Sequence, residues 1–246
     1  MNTNLLKKSL IGVAGVFLLV GNVYATPVLL GGESPDLQQI FSDNTWTMDV
    51  NSDQITSDEY WSVSESQSGS WASMIIEVAG NENYNTFGIY DNYGNILQLM
   101  DGNASEALES KVSLTFNATG LVAIYTDNAS TVAILANGMD FSTIFGFYIG
   151  TPNAAPDDIF YSDQSMNNDN IDHMVSYAGT GVNGLSVGHY ILGFEDLPAG
   201  RSDLDYQDMV IMVESVQPVP EPATMLLFGT GLIGLAGFAQ RRKMKK

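Results

Sequence analysis

The sequence predicts an all-β protein, an antiparallel β-sandwich or jelly roll, on three observations. Short runs rich in β-branched and aromatic residues recur along the chain, with Asn, Asp, Gly and Ser clustered between them. Helical periodicity long enough to make parallel crossovers is missing from the middle of the chain. With about 195 residues between two apolar terminal segments and no Pro-rich or charged linker dividing them, one domain is the default.

The expected strands fall at 45–50, 71–78, 86–90, 96–100, 111–116, 121–125, 131–136, 143–149, 189–194 and 209–213, with one short helical candidate at 36–42. Two runs carry a related phrase, Phe87-Gly88-Ile89-Tyr90 and Phe145-Gly146-Phe147-Tyr148. A glycine inside a strand weakens it and marks a bulge or a close backbone approach. The repetition is compatible with corresponding positions in two sheets, and with chance.

At the N-terminus, Lys7 and Lys8 precede an apolar run at 10–20 and then Val23-Tyr24-Ala25, with small residues where a signal peptidase inspects the chain. The run is shorter than the roughly 17–25 residues of a spanning helix. Residues 1–25 therefore read as a signal peptide cleaved after Ala25. At the C-terminus, Pro220-Glu221-Pro222 leads into an apolar stretch, a transmembrane helix at about 223–240, closed by Arg241, Arg242 and further lysines. Those basic residues would hold the end of the chain in the cytoplasm and place the ectodomain, 26–217, outside the inner membrane.

Together the Pro-Glu-Pro triplet, the Gly-rich apolar stretch and the Arg-Arg end resemble the PEP-CTERM tail, here 218–246. The resemblance implies sorting by exosortase, in Gram-negative bacteria that make exopolysaccharide. An ordinary single-pass anchor is the alternative, but it has no need of two prolines before its helix.

All 28 acidic residues lie between Glu33 and Glu221, whereas of the nine basic residues only Lys111 and Arg201 do. So acidic a surface repels nucleic acid and attracts divalent cations. The chain has no cysteine, which excludes disulfides and thiolate zinc sites. An exported domain of this kind relies on its core or on metal held by oxygen, and calcium is the natural candidate.

The densest chemistry is a run of fourteen residues holding five carboxylates, Glu195, Asp196, Asp203, Asp205 and Asp208. Pro198 and Gly200 make a turn between the runs at 189–194 and 209–213, which returns the later acids toward the earlier ones. Like charges packed this closely oppose folding unless a cation sits among them. Calcium wants about six to eight oxygens at about 2.3–2.6 Å. The Asp-x-Asp-x-x-Asp spacing is not an EF-hand, and a solvated acidic loop is the plain alternative.

Beyond this run, Tyr161-Ser162-Asp163, Asn167, Asp169, Asp172-His173-Met174, Tyr190, Glu195-Asp196-Leu197 and 203–208 together resemble the domain-of-unknown-function family 4114, over about 145–216. The family occurs just upstream of PEP-CTERM tails, so the resemblance implies architecture more than activity. Gln207 departs from the Asn or Thr expected there, though an amide oxygen can still coordinate. Asp163, Asn167, Asp169 and Asp172 then form a second acidic loop that either completes the calcium site or binds separately.

Enzyme readings find little support. Gly184-Leu185-Ser186-Val187-Gly188 matches the serine-hydrolase elbow formally, but no strand-turn-helix setting surrounds it and the later histidine, His189, leads into a β-run. Two histidines, His173 and His189, are too few for a zinc enzyme, and no pair of carboxylates is singled out for glycoside hydrolysis. The sequence thus predicts a non-enzymatic structural or binding protein of the cell surface or extracellular matrix. A carbohydrate-binding module for exopolysaccharide is the second reading, with Trp46, Trp61 and Trp71 as candidate platforms, although in apolar runs tryptophan is more often core. An extracellular hydrolase is the third.

Overall fold

Thirteen strands, all paired antiparallel, build two sheets in the computed structural model, which describes residues 26–31, 34–63, 70–77, 84–102, 104, 110–127, 132–151 and 159–219, with 70–77 described by its backbone alone. The leader at 1–25, Pro220, Glu221, Pro222, the apolar stretch at 223–240, Arg241 and Arg242 lie outside the described residues. Among the described residues no helix is long and apolar enough to cross a membrane.

The elements in order are α1 (Leu37–Asp43), β1 (Trp61–Val63), β2 (Ser70–Glu77), β3 (Thr86–Asp91), β4 (Ile96–Asp101), β5 (Lys111–Asn117), β6 (Gly120–Thr126), β7 (Val132–Met139), β8 (Ile144–Gly150), β9 (Ile159–Tyr161), a 3-10 turn (Gln164–Met166), β10 (Met174–Ala178), β11 (His189–Phe194), β12 (Met209–Glu214) and β13 (Val216–Pro218). The first sheet runs β13-β1-β8-β3-β4, with β9 also on β8; the second runs β10-β11-β12-β2-β5-β6-β7.

The sheets face each other across the main core. Phe87, Phe145 and Phe147 of the first meet Val112, Leu121, Phe194 and Ile211 of the second. Ring contacts stitch the layers together, Phe87 to Phe194 at 5.8 Å between centroids and Trp61 to Tyr190 at 5.0 Å. Each such buried side chain is worth about 1.5–3 kcal/mol.

Only half of the second sheet is bare on its outer side. There β5 alternates, with Val112 and Leu114 buried and Lys111 and Ser113 exposed. In β12 every residue from Met209 to Val213 is buried, because a second core lies outside it. Val175, Tyr177, Ile191, Val210 and Met212 meet Leu37, Ile40 and Phe41 of α1 there, and Trp46, Met48 and Val50 of the segment that follows. A strand covered on both faces is apolar throughout, whereas one covered on one face alternates.

The helix forms for local reasons. Asp36 caps it by accepting the Gln39 amide at 2.8 Å, and Leu37, Ile40 and Phe41 give it one apolar stripe. The strand expected at 45–50 is a correction: its alternation is real, since Trp46, Met48 and Val50 are all buried, but no strand forms. Thr45 turns the backbone at a φ of 62°. The Gln38 amide then satisfies the chain in place of a partner strand, donating to the Met48 carbonyl at 2.9 Å and accepting from the Val50 amide at 3.1 Å.

Four strands escape the sequence pattern. Three of them, β1, β9 and β13, have three residues each. The fourth, β10, is interrupted by buried Ser176, whose hydroxyl donates to the buried Asp58 carboxylate.

The repeated glycine phrase resolves within one sheet, not two. β3 and β8 are neighbours in which Gly88 faces Tyr148 and Gly146 faces Tyr90. Each tyrosine ring lies over the glycine opposite, where a Cβ would collide with it. A bulge at Phe87/Gly88 accompanies the arrangement. Replacing Gly146 with alanine drives a methyl into the Tyr90 ring and should cost about 1–3 kcal/mol in urea denaturation. An unchanged unfolding midpoint would refute the close-approach account.

Burial, and then the neighbouring Asp172 carboxylate, raise the pKa of Asp58 well above the carboxylate range. An acid whose folded pKa exceeds its unfolded value weakens the fold progressively as pH rises from the unfolded value through the folded one. Asp58→Asn keeps an acceptor for Ser176 and removes that titration. Its stability relative to wild type should therefore climb as pH is raised from about 4, whereas parallel stability curves would show that Asp58 is not the group responsible.

Candidate metal centre

β11 and β12 pair with Phe194 opposite Met209, so Glu195 and Asp208 stand just past the end of the ladder. The connection between them turns at Pro198, whose carbonyl accepts the Arg201 and Ser202 amides at 3.0 and 3.1 Å, with Gly200 at a φ of 82°. It then curls back over Glu195 through two residues in the left-handed region, Leu204 and Tyr206, one on each side of Asp205. Such conformations cost non-glycine residues on the order of 1–3 kcal/mol each and persist only where the surroundings enforce them.

Tertiary contacts do enforce them here. The Leu204 carbonyl accepts the Leu29 amide at 2.8 Å, and the Tyr206 hydroxyl donates to the Asp172 carbonyl at 2.7 Å from within the second core. As a result the Leu204 amide reaches one oxygen of Glu195 at 3.0 Å, while Leu197 reaches the other at 3.2 Å. Asp208 in turn accepts the Asp196 amide at 2.8 Å.

The five carboxylates of the connection are thereby gathered at one end of the sandwich. Glu195, Asp196 and Asp205 are buried, Asp208 is half-buried and Asp203 is exposed. Ligand atoms of Glu195, Asp203 and Asp205 lie within 4.8 Å of one another, and so do those of Glu195, Asp196 and Asp208. The electrostatic consequence is severe. Burial first, and then Asp203 and Asp205, push the Glu195 carboxyl up to about 7, against an opposing hydrogen bond from Ser202. Burial and the charges of Asp196 and Glu195 push Asp208 up to about 10.

Two amides belong to this region. Asn85, from the segment that enters β3 in the other sheet, is fully buried and donates to Asp196 at 3.0 Å, while its own side-chain oxygen has no partner. Gln207, between Asp205 and Asp208, is also fully buried, and neither atom of its amide is hydrogen-bonded. A buried polar atom left unmet costs about 1–3 kcal/mol. An all-oxygen set of carboxylates with spare amide oxygens suits a hard divalent cation such as calcium, which Glu195, Asp196, Asp203, Asp205 and Asp208 would hold. Asn85 carries no sequence signal, since only the packing of the two sheets brings it to Asp196.

The second acidic loop is tied down by hydrogen bonds. Asp163 caps the 3-10 turn by accepting the amide and hydroxyl of Ser165, and takes the Tyr60 hydroxyl at 2.7 Å on its other oxygen. Asn167 clamps its loop by accepting the Tyr161 amide and donating to the Tyr161 and Ile171 carbonyls. Asp169 accepts from Ile171, Ala199 and His173, and Asp172 from Thr26 and Met174. His173, stacked on Phe160, turns both ring nitrogens to protein oxygens, the Glu195 carbonyl and the Asp169 carboxylate, so that its ring is already engaged on both sides. Among the described residues no grouping of three or more acidic or histidine ligands includes Asp163, Asp169 or Asp172. Hydrogen bonds to Ala199 and Glu195 tie this loop to the connection.

Residues 126–216 match the family model for a domain of unknown function, DUF4114, and residues 218–243 match the PEP-CTERM protein-sorting motif. The chain thus carries a segment that matches DUF4114 ahead of one that matches the PEP-CTERM sorting motif. The DUF4114 match begins at Thr126, the last residue of β6, earlier than the resemblance at about 145. No curated protein and no solved structure matches the chain. The PEP-CTERM motif marks an exported, membrane-associated precursor that exosortase processes and sorts to the surface of a Gram-negative cell.

The matched region thus contains one loop whose carboxylates converge and one whose carboxylates, among the described residues, form no such grouping, and a substitution distinguishes them. Asn167→Ala strands two carbonyls and an amide, at about 1–3 kcal/mol for each that stays dry. It should lower the melting temperature by the same amount with calcium and with chelator. A loss confined to the calcium-loaded protein would make Asn167 a ligand.

Proposed function

We propose that the protein is a non-enzymatic structural or binding component of the cell surface or extracellular matrix, delivered by exosortase, whose β-sandwich is stabilised by calcium at the β11–β12 connection. The observation that carries the calcium reading is the convergence of Glu195, Asp196, Asp203, Asp205 and Asp208 beside a buried amide oxygen of Asn85 that nothing satisfies. Without a cation the arrangement is self-opposing, as the upward displacement of Glu195 and Asp208 records. With one, the same groups become ligands.

The environment of Ser186 supports the non-enzymatic reading. Its glycine-flanked pentapeptide lies in the hairpin loop between β10 and β11, where a strand-turn-helix elbow does not form. A carbohydrate-binding role draws less support from the tryptophans, since Trp46 and Trp61 belong to the two cores and offer no exposed platform.

Thermal melting of the exported protein in calcium and in chelator tests the reading. Calcium at a hundred times its dissociation constant should add about 2.7 kcal/mol of stability. Asp208→Asn should abolish most of that gain. An identical midpoint in calcium and chelator would overturn the calcium reading.

A further inference from the structure

The two carboxylate groupings share Glu195 and differ in everything else. Oxygens bound to one calcium ion can lie no farther apart than twice the metal–oxygen distance, about 4.6–5.2 Å. Glu195 meets that limit with Asp196 and Asp208, and again with Asp203 and Asp205, but among the described residues no grouping unites all five. We propose that the connection is a two-cation site, with an inner calcium held by Glu195, Asp196 and Asp208, an outer calcium held by Glu195, Asp203 and Asp205, and Glu195 bridging the pair. The proposal rests on the calcium reading above and assigns its number and arrangement of ions.

Three further features agree with it. Glu195 turns one oxygen to the Leu197 amide and the other to the Leu204 amide, so its two oxygens face different arms of the connection, and the Ser202 hydroxyl that also bonds the carboxylate can rotate away for an ion. Five carboxylates carry a charge that one divalent ion would leave largely uncompensated in a mostly buried pocket, whereas two bring it close to neutral. The unpartnered oxygen of Asn85 belongs to a side chain with no exposed surface whose nitrogen already donates to Asp196, so it lies beside the inner position. That amide comes from the mouth of β3 while Asp196 and Asp208 flank β11 and β12. The inner ion therefore sits beside the hydrogen bond by which Asn85 and Asp196 join the two sheets. The outer one, ending on exposed Asp203, completes its shell with water and exchanges more readily.

Calcium titration of the chelator-stripped mature protein, by calorimetry and by native mass spectrometry, counts the ions. Two per chain are expected, the tighter one accompanied by most of the rise in melting temperature. Asp203→Asn, a change at an exposed position, should reduce the count to one and keep most of that rise. Asp196→Asn should lose the rise and raise the dissociation constant of the tighter ion about 10–100-fold. A single ion in the wild-type protein, or an unchanged count in Asp203→Asn, overturns the two-cation arrangement while leaving a calcium site in place. No bound ion overturns both.

Discussion

The constraint on which the site depends is the burial of Glu195. It follows Phe194 at the end of a strand whose faces are committed to two different cores, Leu192 and Phe194 to one and Ile191 to the other. A chain leaving such a strand has no route to water for its next side chain. The Glu195 backbone is fixed as well, its amide donating to the His173 carbonyl at 3.1 Å and its carbonyl meeting the His173 ring at 2.9 Å. A charged group held there must be met by protein or by an ion, and the strained return through Leu204 and Tyr206 is the protein's share of that compensation. Two amide hydrogen bonds and one from Ser202 leave the repulsion from Asp203 and Asp205 unanswered.

The outer layer is what makes this burial hold. Without α1 and the segment through Val50, β10, β11 and β12 would be half-wet strands, and water would screen the carboxylates at their ends. The stretch ahead of α1 reaches the connection directly, through Leu29 to Leu204, and reaches the second acidic loop through Thr26 to Asp172. The bare half of the sheet, at β5 and β6, has no such cover and no such charge cluster. Dehydration of the carboxylates and the double-sided core are thus one structural fact seen from two sides.

Much of this was legible in the residues, and the gaps have physical causes. The long strands announced themselves because alternation or continuous apolarity is a local property. The segment at 46–50 also alternates, yet alternation reports only which side faces a core; whether a backbone partner is a strand or the side chain of Gln38 is decided elsewhere. Five acids in one short loop were readable as a site because they are neighbours in sequence. The acids of 163–172 look identical in sequence and differ only in that nearby amides and hydroxyls already occupy them, as aspartate and asparagine do at caps and turns. Asn85, 111 residues from Asp196, could be found only once the sheets were packed.

The placement of Asn85 bears on how a domain without disulfides keeps two sheets together. The sheets share a hydrophobic core but no ladder, so their relative position rests on non-directional packing. Secreted domains commonly add a covalent staple for this purpose, and this chain has no cysteine to make one. Among the described residues one directional link between the layers lies at the carboxylate end, where Asn85 meets Asp196 at 3.0 Å in full burial. That hydrogen bond alone leaves the Asn85 oxygen unmet and the Asp196 charge pressing on Asp208. A divalent ion beside that hydrogen bond would offset the Asp196 charge and strengthen the junction between the two sheets.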